Sequence, residues 1–168
     1  MDFQITALSN LYQVRKLSQQ DIPIISNLLS GNPQYYRYLK TVPTTENIAE
    51  DLQALPPNKE LSDKFFLGFF DGNHLIAILD LILAYPNPQT AFFGLFILDA
   101  SCQGKGIGSS LISGCVKYLK EFGYQFIRLG YIKRDEQSRC FWIKNGFLPT
   151  GTETQTPDYT IVVLQRAL

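Results

Sequence analysis

Gln103-Gly104-Lys105-Gly106-Ile107-Gly108 stands between an apolar run, Phe92 to Leu98, and a segment of helical period. In that segment Ile107, Leu111, Ile112, Cys115, Leu119 and Phe122 fall on one side. Glycines in such a place let the backbone curl so that successive N–H groups converge on one point. The helix that follows begins there with four unbonded N–H groups and the positive end of its dipole. Together these make an anion site suited to a pyrophosphate. The stretch is not a Walker loop, because Lys105 precedes Gly106 and the pattern G-x-x-x-x-G-K-[ST] occurs nowhere in the chain. Nor is it the G-x-G-x-x-G dinucleotide fingerprint. The plainer alternative is a glycine-rich turn joining a strand to a helix in a scaffold or interaction domain without a ligand.

On the N-terminal side, Phe65 to Phe70 and Leu75 to Ala84 flank the turn Asp71-Gly72-Asn73 and predict an antiparallel hairpin. Tyr85 to Pro88 predicts a loop, and Tyr12 to Leu17 a first strand. Between them Asp21 predicts an N-cap, with Pro23 in the first turn and Ile22, Ile25, Leu28 and Leu29 on an apolar helical face. Gly31-Asn32-Pro33 ends that helix. Tyr35, Tyr36, Tyr38 and Leu39 predict a short aromatic helix, and Thr44 or Thr45 starts another that runs to Pro56-Pro57. Downstream, Gly123 predicts a C-cap, Phe126 to Ile132 a strand, Asp135 to Lys144 a helix stopped by Asn145-Gly146, and Tyr159 to Gln165 a closing strand. The strands at 92–98 and 126–132 are joined through a helix, which requires a right-handed crossover and a parallel pair. The expected fold is mixed α/β, with helices on both faces of a mixed sheet and one domain over residues 1–168.

Composition narrows the function. Fifteen basic residues balance fifteen acidic ones, so the chain lacks the basic footprint that nucleic-acid phosphates demand. No apolar run approaches the roughly 18 residues needed to cross a bilayer, and Met1 to Asn10 does not read as a signal peptide. Cys102, Cys115 and Cys140 are widely spaced without a C-x-x-C pair, which argues against disulfides and a zinc site. The single histidine, His74, sits at the hairpin turn and reads as a solvated residue. A cytoplasmic, metal-free protein is expected.

Around the glycine loop the sequence resembles the GNAT superfamily of N-acetyltransferases. That family's coenzyme A loop is (Arg or Gln)-x-x-Gly-x-(Gly or Ala), which Gln103, Gly106 and Gly108 fit. The resemblance extends over nearly the whole chain: Val14-Arg15-Lys16-Leu17 with Asp21 at the start, Asp71-Gly72 through Leu81 in the middle, and Phe141-Trp142, Lys144 and Gly146-Phe147 toward the end. It implies a central sheet of about seven strands and acetyl-coenzyme A as cosubstrate. It also implies direct acetyl transfer to a primary amine in a ternary complex. Backbone groups of Ile97 and Leu98 would hold the pantetheine arm in a gap between splayed strands and help polarise the thioester carbonyl. Gln103, Gly104, Lys105, Gly106, Ile107, Gly108 and Ser109 would receive the pyrophosphate. Gly94 and Gly130 lie within the two strands concerned, where glycine marks a bulge, a close approach of backbone or a packing constraint.

Transfer also needs proton management: an alkyl ammonium with pKa of about 10 must lose a proton, and a thiolate of pKa about 8.5 must gain one. Many family members use a tyrosine of the last helix as the acid, at the position held here by Trp142. An indole N–H is a donor of negligible acidity. Trp142 is therefore read as packing beside the thioester, and Tyr131 on the facing strand as the substitute acid. Asp80 is the one charge in the run Leu75 to Leu83, so it must be exposed, paired or lining a cleft. The family often carries an acid there, facing the acceptor, as base or as an orienting charge. Asp135 replaces the family's usual asparagine; it can cap its helix and reach the pantetheine. The absent tyrosine leaves a second reading, a non-catalytic acyl-CoA-binding or sensing module. The acceptor, a small molecule in preference to a protein, would be shaped by Asn32 to Leu55 and Tyr85 to Gln89. Tyr35, Tyr36 and Tyr38 either surround a cation with their ring faces or pack as an aromatic helix. The protein is expected as a monomer or homodimer, with no nucleic-acid or membrane partner.

Overall fold

The computed structural model describes residues 1–168. Seven strands are present: β1 Gln13–Lys16, β2 Lys64–Asp71, β3 His74–Ile82, β4 Thr90–Leu98, β5 Phe126–Ile132, β6 Leu148–Gln155 and β7 Thr160–Ala167. Five α-helices accompany them: α1 Ile22–Ser30, α2 Pro33–Leu39, α3 Thr45–Gln53, α4 Ile107–Phe122 and α5 Glu136–Lys144. They form one mixed sheet in the order β1-β2-β3-β4-β5-β7-β6, in which only β4 and β5 run parallel. The parallel pair is the one that the helical crossover requires.

The central strands are buried on both faces, which is why they read as continuous apolar runs. On one face Leu67, Leu79, Leu81, Ala91 and Ile127 pack with Leu111, Ile112, Cys115 and Leu119 of α4 in a single core. On the other, Phe66, Phe70, Ile78 and Ile97 pack with Ile25, Leu28 and Leu29 of α1 and Ile48 of α3. Helix caps follow the local chemistry. Thr44 accepts from the Asn47 N–H at 3.1 Å, Asp135 accepts from the Ser138 N–H at 3.1 Å, and Gly123, at φ 118°, closes α4.

One expectation is corrected. Asp21 precedes α1 but does not cap it: its carboxylate accepts from the Ser18 N–H at 2.8 Å and pairs with Arg15 at 2.9 Å. The parallel strands splay as the family resemblance implies: the β4–β5 ladder joins Thr90–Phe93 to Phe126–Leu129 and stops. Strand β6 went unread because each of its residues is exposed, which leaves no alternation of apolar and polar side chains to detect.

The polar-looking N-terminus also contributes to the core. A 3₁₀ turn over Ile5–Leu8 drops Leu8, fully buried, against α4. The approach is close enough that a Cβ on Gly114 would lie 2.7 Å from the Leu8 carbonyl oxygen. Leu8→Ala is expected to destabilise the fold by about 2–5 kcal/mol, the range for a leucine truncated in a packed core. Urea denaturation measures it, and a loss below about 1 kcal/mol would mean the N-terminal turn is peripheral.

Candidate active site

The site begins where β4 and β5 part. Beyond the Phe93–Leu129 pair, β4 continues beside β3 and β5 beside β7, with no ladder between them. The register between β3 and β4 shifts at the same point: Asp80 faces Leu95 and Leu81 faces Phe93, so Gly94 is an extra, bulged residue. The bulge inverts the alternation of β4. Ala91 and Phe93 face the α4 side, then Phe96 and Leu98, while Leu95 and Ile97 turn to the α1–α3 side. Gly94 and Gly130, at the fork, are both solvent-exposed although each lies mid-strand.

Two connected cavities occupy the fork. The first, about 490 Å³, lies between the end of β4, the turn from α1 to α2, and α5. The second, about 310 Å³, passes between the splayed strands. Tyr35, Phe96, Asp135, Ser138 and Trp142 line both, so the two form one passage through the sheet.

Of the glycine loop, Gln103 lines the first cavity, and the residues from Gly104 to Ser109 line neither. Gly104 and Gly106 adopt φ of 73° and 80°, a region that favours glycine, and a Cβ on either would meet open space. Gly106 is the N-cap of α4, so the first-turn N–H groups of this sixteen-residue helix open beside it. The Gln103 side chain donates to Asn32 Oδ1 at 2.7 Å and to the Leu98 carbonyl at 3.0 Å, which ties the loop to the end of α1. Gly108 is buried against α5, where a Cβ would come 3.1 Å from the Phe141 ring. Ser109 accepts from Asn145 at 3.2 Å, a second tie between α4 and α5. Ile107 is half-buried on the core, and Lys105 is exposed at the tip of the loop.

Ile97 and Leu98 both line the first cavity. The Leu98 carbonyl already accepts from Asn32 Nδ2 at 3.2 Å as well as from Gln103. Trp142, 7% exposed, stands between Phe93, Phe96, Phe141 and Phe147 with ring centroids 4.9–6.5 Å away. Tyr131, half-buried, lines the second cavity on the same side of the sheet as Trp142. Asp135 lines both cavities but is already engaged: besides capping α5 it accepts from Ser138 Oγ at 2.7 Å.

Of the three situations open to Asp80 from sequence, exposed, paired or lining a cleft, the structure shows it paired. Its side chain lies on the α1–α3 side, and both oxygens accept from Lys64 Nζ, at 2.9 and 2.8 Å. Lys64 itself has a side chain only 2% exposed. Burial pushes the Asp80 carboxyl above its ordinary pKa, and Lys64 pulls it back. Asp80 lines neither cavity. Its carboxylate instead fills the space beside the bulge: a Cβ on Gly94 would come 2.9 Å from Asp80 Oδ2.

Sequence reasoning underweighted the opposite wall. Tyr35 of α2 reaches both cavities, and Tyr159, in the turn between β6 and β7, lines the second. Burial, reinforced by Tyr36 and Asp51, pushes the Tyr35 hydroxyl well above its usual range, so it keeps its proton as a donor. The aromatic run at 35–38 was visible, but nothing local distinguishes the tyrosine at the fork from its neighbours. Asn32 had no signal beyond its place in a helix-ending turn.

Against known proteins, the chain matches the model of the acetyltransferase (GNAT) family over residues 31–147. Among curated proteins none matches the sequence significantly. Solved structures share the fold. An acetyltransferase from Thermus thermophilus superposes with a TM-score of 0.75 at 20% identity, covering 94% of this chain and 97% of its own. The Salmonella typhimurium acetyltransferase that modifies the N-terminal serine of ribosomal protein L7/L12 gives 0.76 at 18%, covering 98% and 99%. The PaiA N-acetyltransferase of Thermoplasma acidophilum, solved with coenzyme A, gives 0.68 at 19%, covering 94% and 99%. The family match runs from the turn after α1 through the bulged strand and the glycine loop to the end of α5, and the chain belongs to the GNAT acetyltransferase family.

Proposed function

We propose that this chain transfers an acetyl group from acetyl-coenzyme A to a primary amine by direct attack within the fork, as a single catalytic domain over 1–168. The observation that carries the reading is the pair of adjoining cavities, sharing five lining residues, that runs from Gln103 along the end of β4 to the parted strands. An amine acceptor and a long thiol ester can meet there from opposite faces. The residues present suit the cosubstrate. Gly104, Gly106 and the N-terminus of α4 offer N–H groups to a pyrophosphate, with Lys105 as a nearby cation. The edge of β4 beyond Phe93 has no strand partner and offers backbone groups to an amide-bearing arm. The aromatic wall of Phe96, Phe141 and Trp142 excludes water from the reacting carbonyl.

In the reaction the amine nitrogen bonds to the acetyl carbon, the carbon–sulfur bond breaks, one proton leaves the amine and one reaches the sulfur. Trp142 has no ionisable proton to give. Tyr131 is the hydroxyl we assign to the sulfur. For the amine, Asp80 is engaged by Lys64, so deprotonation runs through water and Asp80 acts by holding the bulge open. The second reading, an acyl-CoA-binding module without turnover, is favoured by Trp142 at the usual acid position; turnover of acetyl-CoA with any amine excludes it. A cytoplasmic location suits such a reaction.

Three outcomes follow from this reading. Gly106→Asp should weaken coenzyme A binding by roughly a hundredfold, since like charges placed together cost several kcal/mol. Gly106→Ala carries the same backbone strain without the charge, so titration calorimetry in which both variants fall equally would move the phosphate site elsewhere. Tyr131→Phe should lower kcat by about 10²-fold or more, the scale for a lost general acid. Trp142→Phe should stay within tenfold of the parent, on the same scale, and the reverse order would reassign the acid.

Asp80→Asn should cost stability, about 3–5 kcal/mol, by leaving a buried ammonium unpaired. The double variant Lys64→Met, Asp80→Leu should recover it and keep kcat within about tenfold of the parent, because no base has been removed. A double variant that folds yet loses about 10²–10⁴-fold in rate would restore Asp80 as the base.

A further inference from the structure

The far end of the passage has a chemistry of its own. Where it opens on the α1–α3 side it is walled by Tyr35, Leu39, Phe92, Leu95, Tyr159 and Ile161. Ile161 leans across Gly130 so closely that a Cβ there would fall 2.6 Å from its Cγ2. Neither cavity is lined by a lysine, arginine, histidine or glutamate, and the one charged residue of the lining, Asp135, already accepts two hydrogen bonds from Ser138. Beside the fork Asp80 is neutralised by Lys64. Lys40 and Asp158, next in the chain to the lining residues Leu39 and Tyr159, form an exposed pair at 3.5 Å and line neither cavity. The lining holds no cation to meet an anionic acceptor, and its single carboxylate, Asp135, could pair with no more than one of the further ammonium groups of a polyamine; a charge left unpaired in such a place costs far more than it gains.

Resting on the acetyltransferase reading above, we infer that the acceptor is a primary amine carried on a compact, uncharged, apolar body of about one aromatic ring. A polyamine or the N-terminus of an acidic peptide does not fit this lining. Size agrees with charge. The cavity between the strands, about 310 Å³, must also admit the acetyl end of the thioester, which leaves space for a ring and a short stem. The ring packs between Leu39, Phe92 and Ile161, and the amine points toward Gly94, where the bulge opens β4. Tyr35 and Tyr159 line the same cavity and, together with Tyr131, are the tyrosines within it that a cation–π contact with the ammonium would draw on.

The test measures thiol release from acetyl-CoA by the full chain with three acceptors: 2-phenylethylamine, spermidine, and a tetrapeptide with a free serine N-terminus followed by aspartate. The expected kcat/KM for 2-phenylethylamine exceeds the other two by at least about tenfold, the scale on which an apolar pocket discriminates. Leu39→Asp should lower kcat/KM for 2-phenylethylamine by about tenfold with the KM for acetyl-CoA unchanged, and Leu39→Met should restore it. Preference for spermidine or the peptide overturns the inference while the transferase reading stands. So does an unreactive 2-phenylethylamine when calorimetry shows coenzyme A bound. Loss of both coenzyme A binding and turnover with every amine removes the transferase reading itself, and the inference with it.

Discussion

Two parallel strands that pair for four residues and then separate govern the rest of this molecule. A strand edge carries donors and acceptors that must be satisfied by another strand, by water or by a ligand. Beyond Phe93 and Leu129 the sheet supplies none between β4 and β5, so the structure holds an open seam at its centre. Everything around the seam serves either to keep it open or to line it.

Small residues and an ion pair stand where the strands part. Gly94 supplies the extra residue of the bulge, and the half-buried Asp80 carboxylate, held by Lys64, fills the space where a Cβ on that glycine would be. Gly130, across the gap, yields its side-chain volume to Ile161. Buried ion pairs of this kind contribute little net stability but are costly to break singly. Here the pair sits where geometry, and not stability, is at stake. The aromatic wall of Phe96, Phe141 and Trp142 gives the seam a dry side, and Gln103 with Asn32 pins the loop to the end of α1.

The elements with strong periodicity were legible from residues alone: the hairpin about Asp71-Gly72-Asn73, the amphipathic α4 with Gly123 closing it, and β5 from Phe126 to Ile132. Strand β6 was not, since its eight residues expose both faces and hydropathy carries no signal there. Leu8 was hidden by its polar neighbours. In the site, the anion-binding character of Gly104 and Gly106 could be read from their positions before a helix. Asp80 could be read as a carboxylate that needs an explanation, and three were open: exposure, pairing or a cleft. Lys64 resolved the question as pairing, from sixteen positions away and across a strand pair.

Sequence by itself determined the local chemistry: which segments extend or coil, where backbone must turn through positive φ, that a crossover makes one strand pair parallel, and that position 142 holds no proton donor of useful acidity. These follow from steric and hydropathic rules that act over a few residues. Tertiary structure decided which of those groups meet. The alignment of Lys64 with Asp80, the convergence of Tyr35 and Tyr159 on the fork, and the point at which β4 leaves β5 all depend on register between distant segments. Register is set by how two faces of the sheet pack at once, and a shift of one residue would send Lys64 or Asp80 to the opposite face from its partner.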